Sequence, residues 1–447
     1  MRNSELAQGV MLARVLYGER ASTWWDGRVR GDLRARLRLG EGRADPYPLY
    51  EQLRARGPMV ATRQGSWQTV DHHVCREVLR SRTFGVVGVE GTPHPDDLPD
   101  VDLSFLGKNP PDHTRLRRLA APAFSPRMMG RYTGLVDRTL DRLVENVCAR
   151  GTFDLVDDLA APLPIIVITE MLGVPLEDQR TFQQHGVALG SALDGLHSLR
   201  HAREVMAAVA MLETMFEGLF ALREREPADD LVSTLVAARG DRIRPEELAP
   251  LCSLLLVAGF ETTVNLIGNA ALALLAHPDQ WDLLRADPDL AGACVEETLR
   301  WDPPVHETGR IAFQDQQIGG VTVRKDQWVF TLIGGANRDP DVFPDPARYD
   351  ITRYAEGAQS GVRSAGTPAG STWRSPEAST TASARRWRGW RPPVPCGPSP
   401  SGCRRCTGSA RSPGAGRSPS AGPGTCPSPC EGGCQRPGWW SLNTRLT

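Results

Sequence analysis

The chain has 447 residues, 40% of them hydrophobic, enough for one large domain or two to three ordinary ones with a sizeable core. Its 52 Lys and Arg against 53 Asp and Glu leave a formal net charge of −1, so no global field draws nucleic acid or an anionic membrane. Gly9–Tyr17 (GVMLARVLY) is too short to span a bilayer, contains Arg14 and lacks a signal-peptide cleavage pattern, which makes a soluble cytoplasmic protein with no nucleic-acid or membrane partner the expectation.

Residues 1–44 read as an N-terminal segment ahead of a globular body that runs from Asp45 to Arg353. In the body, apolar residues recur at three- and four-residue spacing over Gly134–Cys148, Arg203–Arg223 and Glu246–Ala276, which predicts long helices. Pro175, Pro227, Pro245, Pro278, Pro288 and Pro303 stand at plausible helix ends. Met59–Arg63 and Trp67–Val70 read as a hairpin around Gln64-Gly65-Ser66, and Gln317–Val323 with Gln327–Leu332 as a second around Arg324-Lys325-Asp326. The fold class is therefore mainly α with a small β region. Cys75, Cys148, Cys252 and Cys294 are scattered through this body and form no disulfide framework.

Four segments carry chemistry. Pro110–Arg118 (PPDHTRLRR) begins a helix that Asp112 can cap, with His113 and Arg117 on one face; a solvated basic helix start is the plain alternative. Leu251–Gly268 (LCSLLLVAGFETTVNLIG) is a long apolar helix interrupted by Ala258-Gly259 and Glu261-Thr262-Thr263. Small residues admit a flat ligand or another backbone, a Thr hydroxyl can bond the carbonyl one turn back and open the helix, and an adjacent acid can relay protons. A core helix with a tolerated glycine reads equally well from this segment alone. Glu297-Thr298-Leu299-Arg300 sets a carboxylate and a guanidinium one turn apart, a spacing that is most often a surface pair of little worth. Ala336–Arg353 (ANRDPDVFPDPARYDITR) is rich in Pro and Asp and irregular, as a surface loop is.

The order and separation of these segments, with Arg310-Ile311-Ala312 between the third and fourth, resemble the cytochrome P450 family, most closely its soluble bacterial members. The resemblance covers Asp45 to Arg353 and implies a haem-dependent monooxygenase, supplied with electrons by a ferredoxin-type donor and its reductase, acting on an apolar small molecule. It implies that His113, Arg117 and Arg310 hold the haem propionates, as cationic donors suit carboxylates. By the same resemblance Ala258 and Gly259 would let the central helix cross the haem face, and Glu261 and Thr262 would relay protons during dioxygen cleavage. Glu297, Arg300 and Arg348 would form a buried charge cluster, and Val305 and His306 would lie near the substrate pocket. The irregular stretches Phe84–Leu106 and Gln183–His201 would complete that pocket.

After Arg353 the pattern ends. Residues 354–447 are dominated by Gly, Pro, Ser, Arg, Thr and Cys with neither helical nor strand period, the composition of a disordered tail. The family's proximal ligand lies in a motif of the type Phe-x-x-Gly-x-His-x-Cys-x-Gly, whose thiolate favours O–O cleavage. None of Cys396, Cys403, Cys406, Cys426, Cys430 or Cys434 has those neighbours, so no axial metal ligand is assigned. Thr372–Trp387 (TWRSPEASTTASARRW) nevertheless has legal codons that, read one base out of register, spell HLAFSGGIHYCLGASL, with the cysteine codon straddling Thr381 and Ala382. The residues present determine most second and third bases of the shifted codons, and none forbids the motif. A frameshift between Tyr354 and Ser371 is the reading, and the polypeptide as written is expected to be inactive. Two rivals stand beside it. One is a zinc module on Cys403-x-x-Cys406 with Cys426, Cys430 and Cys434, against which the irregular spacing and missing apolar support count. The other is a haem-free pseudoenzyme or binding scaffold.

Overall fold

A computed structural model describes residues 17–88, 102, 104–150, 152–196 and 198–355. Gly9–Leu16, most of the Phe84–Leu106 stretch, and the tail with its shifted motif and six cysteines lie outside the described residues.

The predicted helices form with small extensions: Pro126–Arg150, Leu199–Arg225 and Pro245–Ala276. Pro245 stands at the first turn of the 32-residue central helix, where its missing N–H costs no hydrogen bond. Glu247 caps that turn by accepting the Arg244 backbone N–H at 3.0 Å. The run Leu251–Val257, apolar but for Ser253, is buried on every side, as a helix in the middle of a large core must be. Around it pack Pro162–Leu172, Gln179–Gly190 and Leu199–Arg225, with Leu172, Phe182, Leu212, Phe216, Leu248 and Leu251 in one apolar cluster. Phe182 and Phe216 meet edge to face, ring centroids 5.0 Å apart. The Pro110–Arg118 helix spans Asp112–Ala120, and Asp112 lies inside its first turn rather than capping it; its carboxylate pairs with Arg115 at 2.8 Å.

The β region has two parts. Strands β1 (Val60–Ala61), β2 (Trp67–Thr69), β3 (Phe84–Gly85), β4 (Glu307–Ala312) and β7 (Trp328–Leu332) form a sheet in the order β1-β2-β7-β4-β3. The first predicted hairpin is observed, Val60 opposite Gln68. The second is not. The expected strand Gln317–Val323 doubles back at Gly319-Gly320 into a separate ribbon of β5 (Gln316–Ile318) and β6 (Val321–Val323). Both glycines have positive φ, +55° and +81°, a conformation other residues adopt only with strain. Released from that pairing, β7 runs parallel to β2 and antiparallel to β4, and all five of its residues are buried.

The segment before Asp45 is not separate from the body. Leu33, Arg34 and Ala35 are buried, and the Arg34 guanidinium lies 3.2 Å from the Phe330 ring centroid while bonding the Glu307 carboxylate at 3.0 Å.

Glu247 also ties the central helix to the 112–120 helix, accepting from Arg115 at 2.6 Å and from Arg244 at 2.6 Å. The hydrogen bond from Arg115, first of these effects, holds its carboxyl well below the usual carboxylate range. A depressed folded-state pKa contributes stability that is present above the ordinary value and lost as pH falls through the depressed one. Glu247→Gln is therefore expected to melt at a lower temperature than the parent at pH 7, with the gap closing on acidification below about pH 4. Melting curves at both pH values check this, and a gap that persists unchanged in acid contradicts it.

Candidate functional site

The charge cluster is built on the helix Ala291–Trp301. Glu297 and Arg300 sit one turn apart and pair in a fork, Nε to Oε2 at 2.8 Å and Nη2 to Oε1 at 2.8 Å, with both side chains at 0% exposure. Burying two charges is tolerated only when their remaining hydrogen-bonding capacity is met. Arg300 donates further to the carbonyls of Asn337, Pro346 and Arg348, and the Asp350 backbone N–H donates to Glu297 at 2.9 Å. The irregular Ala336–Arg353 stretch is thus the wrapping of an ion pair rather than a surface loop.

The expected third member is corrected. The Arg348 side chain is exposed, and Arg348 joins the cluster through its backbone carbonyl alone. The second guanidinium on Glu297 belongs to Arg353, whose Nε lies 3.2 Å from Oε2 and whose Nη1 bonds the Pro344 carbonyl at 2.8 Å. Both arginines stand in the same irregular run, where no periodicity says which side chain turns inward.

His113, Arg117 and Arg310 come together although they lie on two elements, the 112–120 helix and β4. Burial lowers the His113 pKa below its ordinary value, and the positive charges of Arg117 and Arg310 lower it further. Arg310 bonds the Thr308 hydroxyl at 2.8 Å and the Gly309 carbonyl at 2.7 Å, and no carboxylate among the described residues pairs with it. Two guanidiniums stand beside an imidazole whose pKa their charge lowers, Arg310 is half-buried in its strand with no paired acid among the described residues, and such a basic cluster suits an anionic ligand.

The central helix runs unbroken through its Ala-Gly-Phe-Glu-Thr-Thr stretch; the expected opening at Thr262 is not observed. Thr262 does bond the carbonyl one turn back, Oγ1 to Ala258 O at 2.7 Å, and Thr263 repeats this with Gly259 at 2.9 Å. Ala258 is exposed and available to a flat ligand, whereas Gly259 faces the other way. A Cβ at Gly259 would lie 2.8 Å from Ile168 Cδ1, so its smallness serves the packing against the 162–172 helix. Glu261 directs a buried carboxylate oxygen at Gly190, where a Cβ would stand 2.7 Å from it. Gly190 thereby joins the site, a close approach between helices that leaves no trace in local sequence pattern.

Val305 is 47% exposed beyond the 291–301 helix. His306 turns away from it into a polar knot, Nδ1 3.3 Å from the Tyr50 hydroxyl and Nε2 3.3 Å from Asp302. Arg338 is sandwiched beside that knot, 3.3 Å from the Tyr47 ring and 3.8 Å from the Trp301 ring. His306 is part of how the first body helix, Tyr47–Arg54, is fastened to the helix carrying the ion pair.

The family model described as Cytochrome P450 matches residues 49–368. The chain belongs to the cytochrome P450 family. It is 38% identical over 322 residues to the biotin biosynthesis cytochrome P450 of Bacillus subtilis, covering 69% of this chain and 80% of that one. It is 36% identical to the vitamin D(3) 25-hydroxylase of Pseudonocardia autotrophica, covering 70% and 78%. The crystal structure of P450BioI with acyl carrier protein ligated by hexadec-9Z-enoic acid superposes with a TM-score of 0.68 at 34% identity, over 78% of this chain and 91% of that one. P450 membership implies a haem cofactor and the oxidoreductase class. The match begins inside the Tyr47–Arg54 helix and ends at residue 368, short of Thr372.

Replacing Arg353 with Ala removes a partner from a fully buried carboxylate and is expected to cost about 3 kcal/mol of unfolding free energy. Arg348→Ala leaves every contact of the cluster intact and should change stability by less than about 0.5 kcal/mol. Urea denaturation of the two variants separates them, and equal losses contradict the assignment of Arg353.

Proposed function

We propose that this polypeptide is the body of a cytoplasmic haem-thiolate monooxygenase for an apolar small molecule, driven by a ferredoxin-type donor with its reductase, and that it has lost its axial ligand to a frameshift. The observation that carries the haem reading is the convergence of His113, Arg117 and Arg310 without an acid among them. These residues would hold the two propionates; Ala258 leaves room along the central helix, and Glu261 with Thr262 would hold and pass a proton. Haem bound there supplies dioxygen activation for oxygenating the substrate. Val305 would face that substrate. An apolar class is in keeping with the fatty acyl chain and the vitamin D(3) named for the two relatives.

The frameshift reading is supported by the place where the family match ends and by the motif spelled out of register behind Thr372–Trp387. Large apolar side chains stand exposed on three successive helices of the same region, Leu275, Leu283 and Val295, as on a body made to receive more chain. The second reading, a haem-free scaffold, is favoured by one observation. The Glu297–Arg300–Arg353 cluster is complete within the first 355 residues and takes none of its members from the tail.

The expressed chain is expected to show no thiolate-type band in a reduced carbon-monoxide difference spectrum, and a gene restored to frame ahead of Thr372 should show one. A strong thiolate band from the chain as written would sink the proposal, as would bases over Ser371–Trp387 that do not spell the motif. Added haemin separates the two readings through His113. Propionates between the cations would raise the His113 pKa from its lowered value toward or above the ordinary 6.5, read by NMR titration. An unchanged His113 titration leaves the scaffold.

A further inference from the structure

We propose that the N-terminal helix at residues 17–28 lays one face on an anionic lipid surface. Three of its large side chains and the valine that follows stand about half exposed: Tyr17 at 51%, Trp24 at 53%, Trp25 at 49% and Val29 at 54%. A helix docked on a protein core does not normally leave its aromatics in water. This one is fastened near its C-terminal end. Asp26 is buried, and a Cβ on Gly27 would lie 2.7 Å from Leu39 Cδ1 and 3.3 Å from the backbone of Ala35 and Arg36.

The periodicity sorts its residues cleanly. Asp26 is buried and Thr23 half-buried on the docked side, and Glu19, though exposed, follows them at helical spacing on that side of the helix. Tyr17, Ala21, Trp24 and Arg28 follow at the same spacing on the opposite side, with Trp25 beside them. The outward face is therefore aromatic and cationic without a carboxylate of its own. Arg28 reaches Glu41 on the neighbouring segment at 3.2 Å, an exposed pair that a lipid phosphate can displace. Residues 17–43 hold seven arginines against four carboxylates in a chain whose formal net charge is −1.

Two occupants compete for such a face. Each half-exposed aromatic offers roughly half of the 150–250 Å² that a buried aromatic contributes, so three give on the order of 300 Å². That falls short of the ~800 Å² per partner of a stable protein interface. It suits a bilayer interface, where Trp and Tyr bury their rings at the headgroup level and Arg keeps its charge at the phosphates. The expectation of no membrane partner came from the absence of a spanning run in the sequence, and a helix lying in the interface needs none. The inference is independent of haem binding.

The test is co-sedimentation of the full chain with phosphatidylcholine vesicles, with and without phosphatidylglycerol. The tail from Ser371 onward is itself rich in arginine and tryptophan, so the helix is read by comparing two double variants. Trp24→Ala/Trp25→Ala is expected to lower the fraction bound to phosphatidylglycerol vesicles at least fivefold with the circular dichroism unchanged. Trp439→Ala/Trp440→Ala should leave that fraction within twofold. The proposal is overturned if the tail variant loses binding and the helix variant does not, or if the parent does not sediment. It is equally overturned if the helix variant instead abolishes a concentration-dependent dimer in sedimentation velocity, which assigns the face to a second copy.

Discussion

Everything near the site hangs on a carboxylate and a guanidinium that have no access to water. Glu297 and Arg300 are joined by two hydrogen bonds, and the pair survives burial because carbonyls and amides of an irregular stretch satisfy the rest of its capacity. The dependence runs both ways. Without the pair, the segment from Asn337 to Asp350 has no reason to fold back on the helix; without the segment, the pair is an unaffordable burial of charge. The wrapping in turn carries Tyr349 into the core, where its hydroxyl meets Thr298 at 2.9 Å and its ring packs beside Trp301. Trp301 presents its carbonyl and ring to Arg338, and Tyr47 shares that cation. Sheet, first body helix and ion pair are one connected object.

How much of this was legible in the sequence follows physical lines. The long helices were, because a 3.6-residue period written over twenty or more residues leaves little choice. The ribbon of β5 and β6 was not, because the same residues also read as one continuous strand and only the positive φ at Gly319-Gly320 decides between them. The ion pair was legible as a spacing and acquired its burial only in three dimensions. Arg353 was not distinguishable from Arg348, since both ride in a segment whose path is set by what it wraps. Gly259 had two available explanations, a ligand or a neighbouring helix, and the distance to Ile168 chooses the second. The grouping of His113, Arg117 and Arg310 combined residues almost two hundred positions apart, which only the family resemblance paired.

The body and the ligand motif are differently placed with respect to folding. Core, sheet and charge cluster are assembled from residues before 356, whereas the thiolate of a P450 comes from beyond them. The proposed shift of reading frame past Arg353 would spare this cluster and sheet and would remove what the chemistry needs. On that proposal a chain can match its family over 49–368 and yet carry cysteines afterward that lack the ligand motif's neighbours.

The two close approaches of the central helix act on its position along a line perpendicular to its axis. Gly259 lets it rest against Ile168, and Gly190 gives the Glu261 carboxylate a seat on the opposite element. Neither glycine needs its backbone freedom here; each supplies thickness, by lacking it. The clearance over Ala258 is consequently set from behind, by how deeply the helix sinks into its neighbours. A single methyl group at 259 would act as a shim, pushing the helix off Ile168 without touching Ala258 on its other side.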